Sequence, residues 1–387
     1  MAKCTVQLLR ILLGVISLIV SSDPSHAQSR QTVFISSDEG ILYALDAGTG
    51  KARWRYTFDN VRMEASPIVS NGLVIVSTSS EAGVYAFDEL TGLLKWKQRL
   101  PDGLIFSARI ADKTVYALAS HKAFWDLTGA NYTTLYALDV RTGDLKWSFQ
   151  AGDQINRAAL SNPDENCPLV CHETVYFGGS DGQLYAIDSQ SGGLKWSFLS
   201  GSPFYSSPIW LDGTVYAGDA NGSLVAIDDL TGKLKWKIHD SYTIHAGIST
   251  DRKLLFVPYD GPASLVAYSP LDGSRRWTFS PNNFISSSPT VVNGLLYTSS
   301  EDGMFYALDC SNGVLKWKMN LLTSRISAPT IVNNIIYLGA GNRMYALEAN
   351  TGKQKWTFSI KGNVVKSACV QLADGTTFRG LGAVHPQ

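Results

Sequence analysis

"ALDAGTGKARW", residues 44–54, is a short polar turn between two apolar runs and ends on a tryptophan. Seven variants follow: AFDELTGLLKW, ALDVRTGDLKW, AIDSQSGGLKW, AIDDLTGKLKW, AYSPLDGSRRW, ALDCSNGVLKW and ALEANTGKQKW. The eight copies end at Trp54, Trp96, Trp147, Trp196, Trp236, Trp277, Trp317 and Trp356. Successive spacings are 42, 51, 49, 40, 41, 40 and 39 residues. A repeat of this period with strand-like segments between copies is the pattern of propeller blades.

Each position in the repeat has a physical reason. The Asp ends a strand, where its carboxylate accepts backbone N–H bonds in an Asx-type turn, and the Thr hydroxyl bonds within the same turn. Gly supplies the positive φ of a tight hairpin. The Trp offers a large flat face to a neighbouring sheet, and its N–H needs a partner when buried. Ala stays small so that a ring can pack over it. The sixth copy has Ser269 in place of the Asp and is expected to have the least regular turn; Glu348 replaces it in the eighth.

Between the turns lie further strand signals. In the seventh unit, SSSPTVV, LLYTSS, MFYALD and VLKWKM read as four strands separated by Asn-Gly, Glu-Asp-Gly and the repeat turn. The first unit starts at TVFISS and lacks a first strand, while NVVKSACVQ near the C-terminus resembles one. Pairing it with the first unit closes the ring and removes the exposed edge. The expected fold is an all-β, eight-bladed propeller of four-stranded antiparallel blades over residues 28–373, with 374–387 as a tail. DGTTFRG at 374–380 also reads as the start of a strand and competes with that assignment.

The Ala-x-Asp-x-x-Thr-Gly-Lys-x-x-Trp pattern, complete at 44–54 and 226–236, resembles the tryptophan-docking motif of the quinoprotein propellers. That superfamily holds the pyrroloquinoline-quinone (PQQ) dehydrogenases and the non-enzymatic assembly lipoprotein BamB with its PQQ-like-repeat relatives. The resemblance covers the whole mature chain and implies the fold; one propeller hosts many activities.

Charge and leader bound the function. Thirty-three basic residues balance 33 acidic ones, so nucleic-acid binding has little support. Lys3 and Arg10, the apolar run 11–20 and the small residues Ser25 and Ala27 lay out a secretory signal peptide over 1–27. An uncleaved anchor is the alternative. The expected product is an exported, monomeric, periplasmic or extracellular propeller, without a spanning segment once the signal is cleaved. Export permits disulfides, and Cys167 and Cys171 could close a small loop. No Cys/His cluster suggests zinc.

The repeat residues are read as structural, because each recurs in every blade. Function is sought where blades differ, on loops held by the scaffold. Aligning the first strands on their Ser-Pro puts Lys366, Glu64, Phe106, Arg157, Tyr205, His245, Ser286 and Ile326 around the channel. One residue earlier come Val365, Met63, Ile105, Asn156, Phe204, Ile244, Ile285 and Arg325. Glu64, Asn156, Arg157, Tyr205, His245, Arg325 and Lys366 are the candidate ligand-binding set; solvated ion pairing within the channel is the preferred reading of them, because structural ion-pair networks produce the same signal.

Two insertions account for the long spacings. HKAFWDLTGANYTT, between the second and third strands of blade three, carries Phe124 and Trp125 as a candidate partner-binding loop. SNPDENCPLVCHE is placed between the first and second strands of blade four, on the opposite face.

The PQQ dehydrogenases, as the resemblance implies, need a calcium ion held by acidic and amide groups, a catalytic Asp, an Arg near the quinone and often adjacent paired cysteines. Glu64, Asn156 and Arg157 match parts of this by type; the channel set has no Asp, and the chain has no Cys-Cys pair. The leading expectation is a non-catalytic scaffold with no cofactor and a protein partner. A PQQ-dependent alcohol or sugar dehydrogenase is the alternative, and a propeller that binds carbohydrate or another small ligand is the third.

Overall fold

The computed structural model describes residues 31–379 apart from 60, 62, 64, 79–82, 102–103, 121–132, 153–166, 262–263, 286 and 365. The expected signal segment lies outside the described residues. So do Glu64, Phe124, Trp125, Asn156 and Arg157.

Eight antiparallel sheets form the blades, and consecutive strands pair within each. Blade five, for example, runs Ile209–Leu211, Thr214–Gly218, Ser223–Asp228 and Leu234–His239 from the axis outward. The middle two strands are almost wholly buried, while the outer strand alternates exposed and half-buried residues. The core therefore lies between blades. Leu211, Tyr216 and Leu224 of blade five, for instance, pack with Leu255, Val257 and Tyr268 of blade six.

The tryptophans join each blade to the next. Trp54 Nε1 donates to Glu89 O at 2.9 Å, Trp196 to Asp229 O at 2.9 Å and Trp317 to Ala349 O at 3.0 Å. Within its own blade each Trp sits directly across from the repeat Ala, as in Ala44↔Trp54. Its indole lies over the turn Gly of the next blade. Trp356 closes the circle: it covers Gly50 and donates to Ala47 O at 2.9 Å. Gly50 has φ +71°, and a Cβ there would fall 2.6 Å from Trp356 Cε3. Only glycine satisfies both conditions.

The Asp turn forms as its chemistry requires. Asp46 Oδ1 accepts from the amides of Gly48 and Thr49 and from Thr49 Oγ1. The sixth turn is as regular as the rest, contrary to expectation. Ser269 keeps both backbone bonds, N to Ser274 O and O from Gly273 N, and Asp272 takes over the cap by accepting from Ser274.

Cys369–Gln371 pairs with Thr32–Phe34 and completes blade one. Part of the segment set apart as a tail belongs to the fold. The chain turns back at residues 372–376, and Thr377–Arg379 pairs with Cys369–Gln371 on its inner side, giving blade one a fifth strand. This axial strand also approaches the inner strands of blades two and eight. A first strand placed at the axis still has one unpaired edge, and the returning chain satisfies it.

The first strand of blade four is Leu169–Cys171, so the insertion precedes that strand rather than following it. Cys167 and Pro168 occupy the places of Ser207 and Pro208 in blade five. By strand alternation the flanking residues Ser120, Thr133, Gly152 and Cys167 lie toward one face of the disc; residues 121–132 and 153–166 are outside the described residues. The pairing expected for Cys167 and Cys171 is absent: both are free thiols. Extended chain between them covers about 13 Å, beyond the Cα separation a disulfide spans.

Candidate functional site

The expected channel rows separate in the structure. Met63, Ile105, Phe204, Ile244 and Ile285 are core residues packed between blades. Cβ directions alternate along a strand, so a shift of one residue exchanges the packed face for the open one. In the other row, Phe106, Ile326 and Lys366 are buried. Arg325 is exposed and held through its backbone, its amide donating to Thr323 Oγ1 and its carbonyl accepting from Gly341 N.

Tyr205 and His245 come together. They lie on the connections that enter blades five and six, and their rings meet edge-on with centroids 5.2 Å apart. Asp260, in the turn after Leu255–Tyr259, pairs with His245: Asp260 Oδ2 lies 2.5 Å from Nδ1, with both side chains about one-third exposed. The Asp260 amide donates to Thr243 O, which fixes the turn against the same connection. Burial pushes the Tyr205 phenol up to about 12, so it stays protonated at neutral pH. A histidine oriented through Nδ1 presents Nε2 to solvent. The three groups can accept or donate a hydroxyl proton, or bind a polyol. Asp260 was not among the sequence candidates; its Asp-Gly turn in VPYDGPA was the available signal.

The second polar site lies on the axis. Arg109, in the inner strand of blade three, holds the register position of Ile209 in blade five, each opposite a Tyr. Arg379, on the axial strand, donates from Nη1 to Ala108 O at 2.8 Å. Its Nε is buried with no hydrogen-bond partner, a deficit worth about 1–3 kcal/mol. Burial is the main cause that lowers the Arg109 guanidinium to about 10, and the charge of Arg379 adds to it. A cavity of about 140 Å³ is lined by the axial strand and by residues of blades one to three.

Calcium takes six to eight oxygen ligands. Among the described residues no group of three or more His, Cys, Asp or Glu is placed to hold a metal. Glu64, Asn156 and Arg157, the residues that match such a site by type, lie outside the described residues.

A family model described as outer membrane protein assembly factor BamB matches residues 13–161, 124–244 and 237–378. The chain belongs to the BamB-type family of PQQ-like propellers. Polyvinylalcohol dehydrogenase from a Pseudomonas species is 22% identical over 356 residues, 77% of this chain and 53% of that protein. BamB from Yersinia pestis is 23% identical over 161 residues, 39% of this chain and 37% of that protein. The chain thus spans about half or less of these curated relatives. Among solved structures, BamB from Moraxella catarrhalis has a TM-score of 0.63 at 18% identity, covering 96% of this chain and all of that one. Quinohemoprotein alcohol dehydrogenase from Comamonas testosteroni has a TM-score of 0.61 at 16% identity, covering 84% and 75%. Such likeness establishes the propeller fold and is shared by both functional classes.

Proposed function

We propose that this protein is an exported β-propeller scaffold that docks a protein partner in the cell envelope or secretory pathway and carries out no catalysis. The observation that carries this reading is the axial strand. Thr377–Arg379 lies on the inner side of Cys369–Gln371, and the cavity it lines with blades one to three holds about 140 Å³, against the ~300–1,000 Å³ of a pocket for a drug-sized ligand. The BamB-type family assignment agrees with it. The loop with Phe124 and Trp125 is the proposed contact, since aromatic anchors dominate binding energy in interfaces. The test is affinity capture of the tagged full chain from envelope or secreted fractions, compared with Phe124→Ala/Trp125→Ala. One stoichiometric partner retained by the native chain and lost by the variant supports the reading; no partner with either form contradicts it.

A second reading is a PQQ-dependent alcohol or sugar dehydrogenase, favoured by the extent of the polyvinylalcohol dehydrogenase match. In that reading the quinone would supply the oxidising chemistry, and His245, held by Asp260, would be placed to accept a hydroxyl proton. The same Tyr205–His245–Asp260 cluster suits carbohydrate binding without turnover.

A further inference from the structure

The turns between third and fourth strands carry a residue type that the turn itself does not need. Two places after the first turn residue, five blades have Gly48, Arg141, Gln190, Ser311 and Asn350. Blades two, five and six have Leu90, Leu230 and Leu271 there, with 75%, 85% and 88% of their surface exposed. We infer that this face of the disc rests on a lipid bilayer, with the three leucines entering its interfacial layer.

The leucines stand at one level. In each of their turns the Gly amide donates to the carbonyl of the first turn residue: Gly92 to Asp88 at 2.9 Å, and Gly232 to Asp228 and Gly273 to Ser269 at 3.0 Å. Equivalent turns of a propeller lie at equal height around the ring, so the three side chains are separated points of one plane. The apolar hot spots of a protein interface cluster near its centre. Points spread over blades two, five and six fit a flat, extended apolar surface instead.

The acidic neighbours of these leucines already have partners inside the protein. Asp88 and Asp228 pair with Lys95 and Lys235 at 3.1 and 3.4 Å. Glu89 accepts from Gln371, Asp229 from Trp210 Nε1 and Asp272 from Ser274. Approach to a headgroup layer therefore leaves these carboxylates compensated. The described chain also begins on this face, where Gln31 O accepts from the Ala47 amide in the turn of blade one at 3.0 Å. The apolar run 11–20 lies ten residues before Gln31, and ten extended residues reach about 33–36 Å. Left uncleaved, that run would draw the leucine face toward the bilayer. The residues flanking the two insertions lie toward the other face, which stays open to a partner. This inference does not depend on the scaffold reading, because vesicle binding and partner capture are measured separately.

The experiment is flotation of the full chain with phosphatidylcholine–phosphatidylethanolamine vesicles at low and high sodium chloride. Binding should be independent of salt, because burial of apolar side chains carries it. Leu90→Ser/Leu230→Ser/Leu271→Ser should weaken it at least tenfold. Leu322→Ser, which alters an equally exposed leucine on the opposite face, should leave it unchanged. Vesicles should also slow hydrogen exchange of the native chain at 88–93, 228–233 and 269–274, and not at the opposite turn 300–304. Absence of vesicle binding overturns the proposal, as does equal binding by the native chain and the triple variant, the result expected if the run 11–20 alone holds the membrane. A dimer that forms without vesicles and is abolished in the triple variant assigns the face to a second copy and overturns it as well.

Discussion

Gly50→Ala tests the rivet that closes the ring. At φ +71° an Ala pays the left-handed conformational penalty, about 1–2 kcal/mol. Its Cβ would also sit 2.6 Å from Cε3 and 2.7 Å from Cδ2 of Trp356. The indole has little room to retreat, because it is buried, bonded to Ala47 O and packed near Tyr337. Overpacking of this kind costs about 1–3 kcal/mol more. The expected loss is therefore about 2–5 kcal/mol in urea unfolding. Gly72→Ala is the matched control: φ is +80°, and nothing lies within 4 Å of the added carbon. It should lose only the conformational part. Combining Gly50→Ala with Trp356→Leu should recover the steric excess as a coupling energy. If Gly50→Ala costs no more than Gly72→Ala, the docking account is wrong.

Trp147→Phe removes the 3.1 Å donation to Ser189 O. That carbonyl still accepts from Tyr116, so the loss should sit near the lower end of about 0.5–1.5 kcal/mol in urea unfolding. Acid should destabilise the protein through its turn carboxylates. Asp188 is held down to about 2 chiefly by the Ser191 amide, and Asp272 and Asp309 equally by the hydroxyls of Ser274 and Ser311. Their contribution is present above the unfolded value of 3.8 and is lost as pH falls through about 2. Urea midpoints should fall between pH 4 and 2, and less steeply in the triple Asn variant; identical slopes would refute the assignment. Burial pushes the Cys310 and Cys369 thiols up to about 12, while Cys171 is half-buried. Iodoacetamide at pH 8 should therefore modify Cys171 in the native protein and reach Cys310 and Cys369 only after denaturation, as read by peptide mass.

The blades were legible because their determinants are local. Asp46, Gly50 and Trp54 lie within one hairpin, and eight copies reinforce one another. The Lys before most of the repeat tryptophans was also visible but unread; in blade five Lys235 pairs with Asp228 and donates to Thr214. Blade four misled because INRAALS and CPLVC both read as short first strands, and Cys167 stands where other blades have Ser. Tyr205 and His245 were found by register, which carries no information about a distant partner. Asp260 joins them only through packing of a turn against the connection that enters its own blade. Arg109 and Arg379 are 270 residues apart, and their approach depends on the ring closing and the chain then turning back inside it. No pattern within either segment encodes that.

The most direct test of scaffold against dehydrogenase is titration of the purified full chain with PQQ and Ca²⁺. Melting temperature and dye-coupled oxidation of alcohols, sugars and polyvinyl alcohol would be followed together. The scaffold reading predicts that the melting temperature stays constant and no dye is reduced. A saturable rise in melting temperature accompanied by turnover would contradict the scaffold reading.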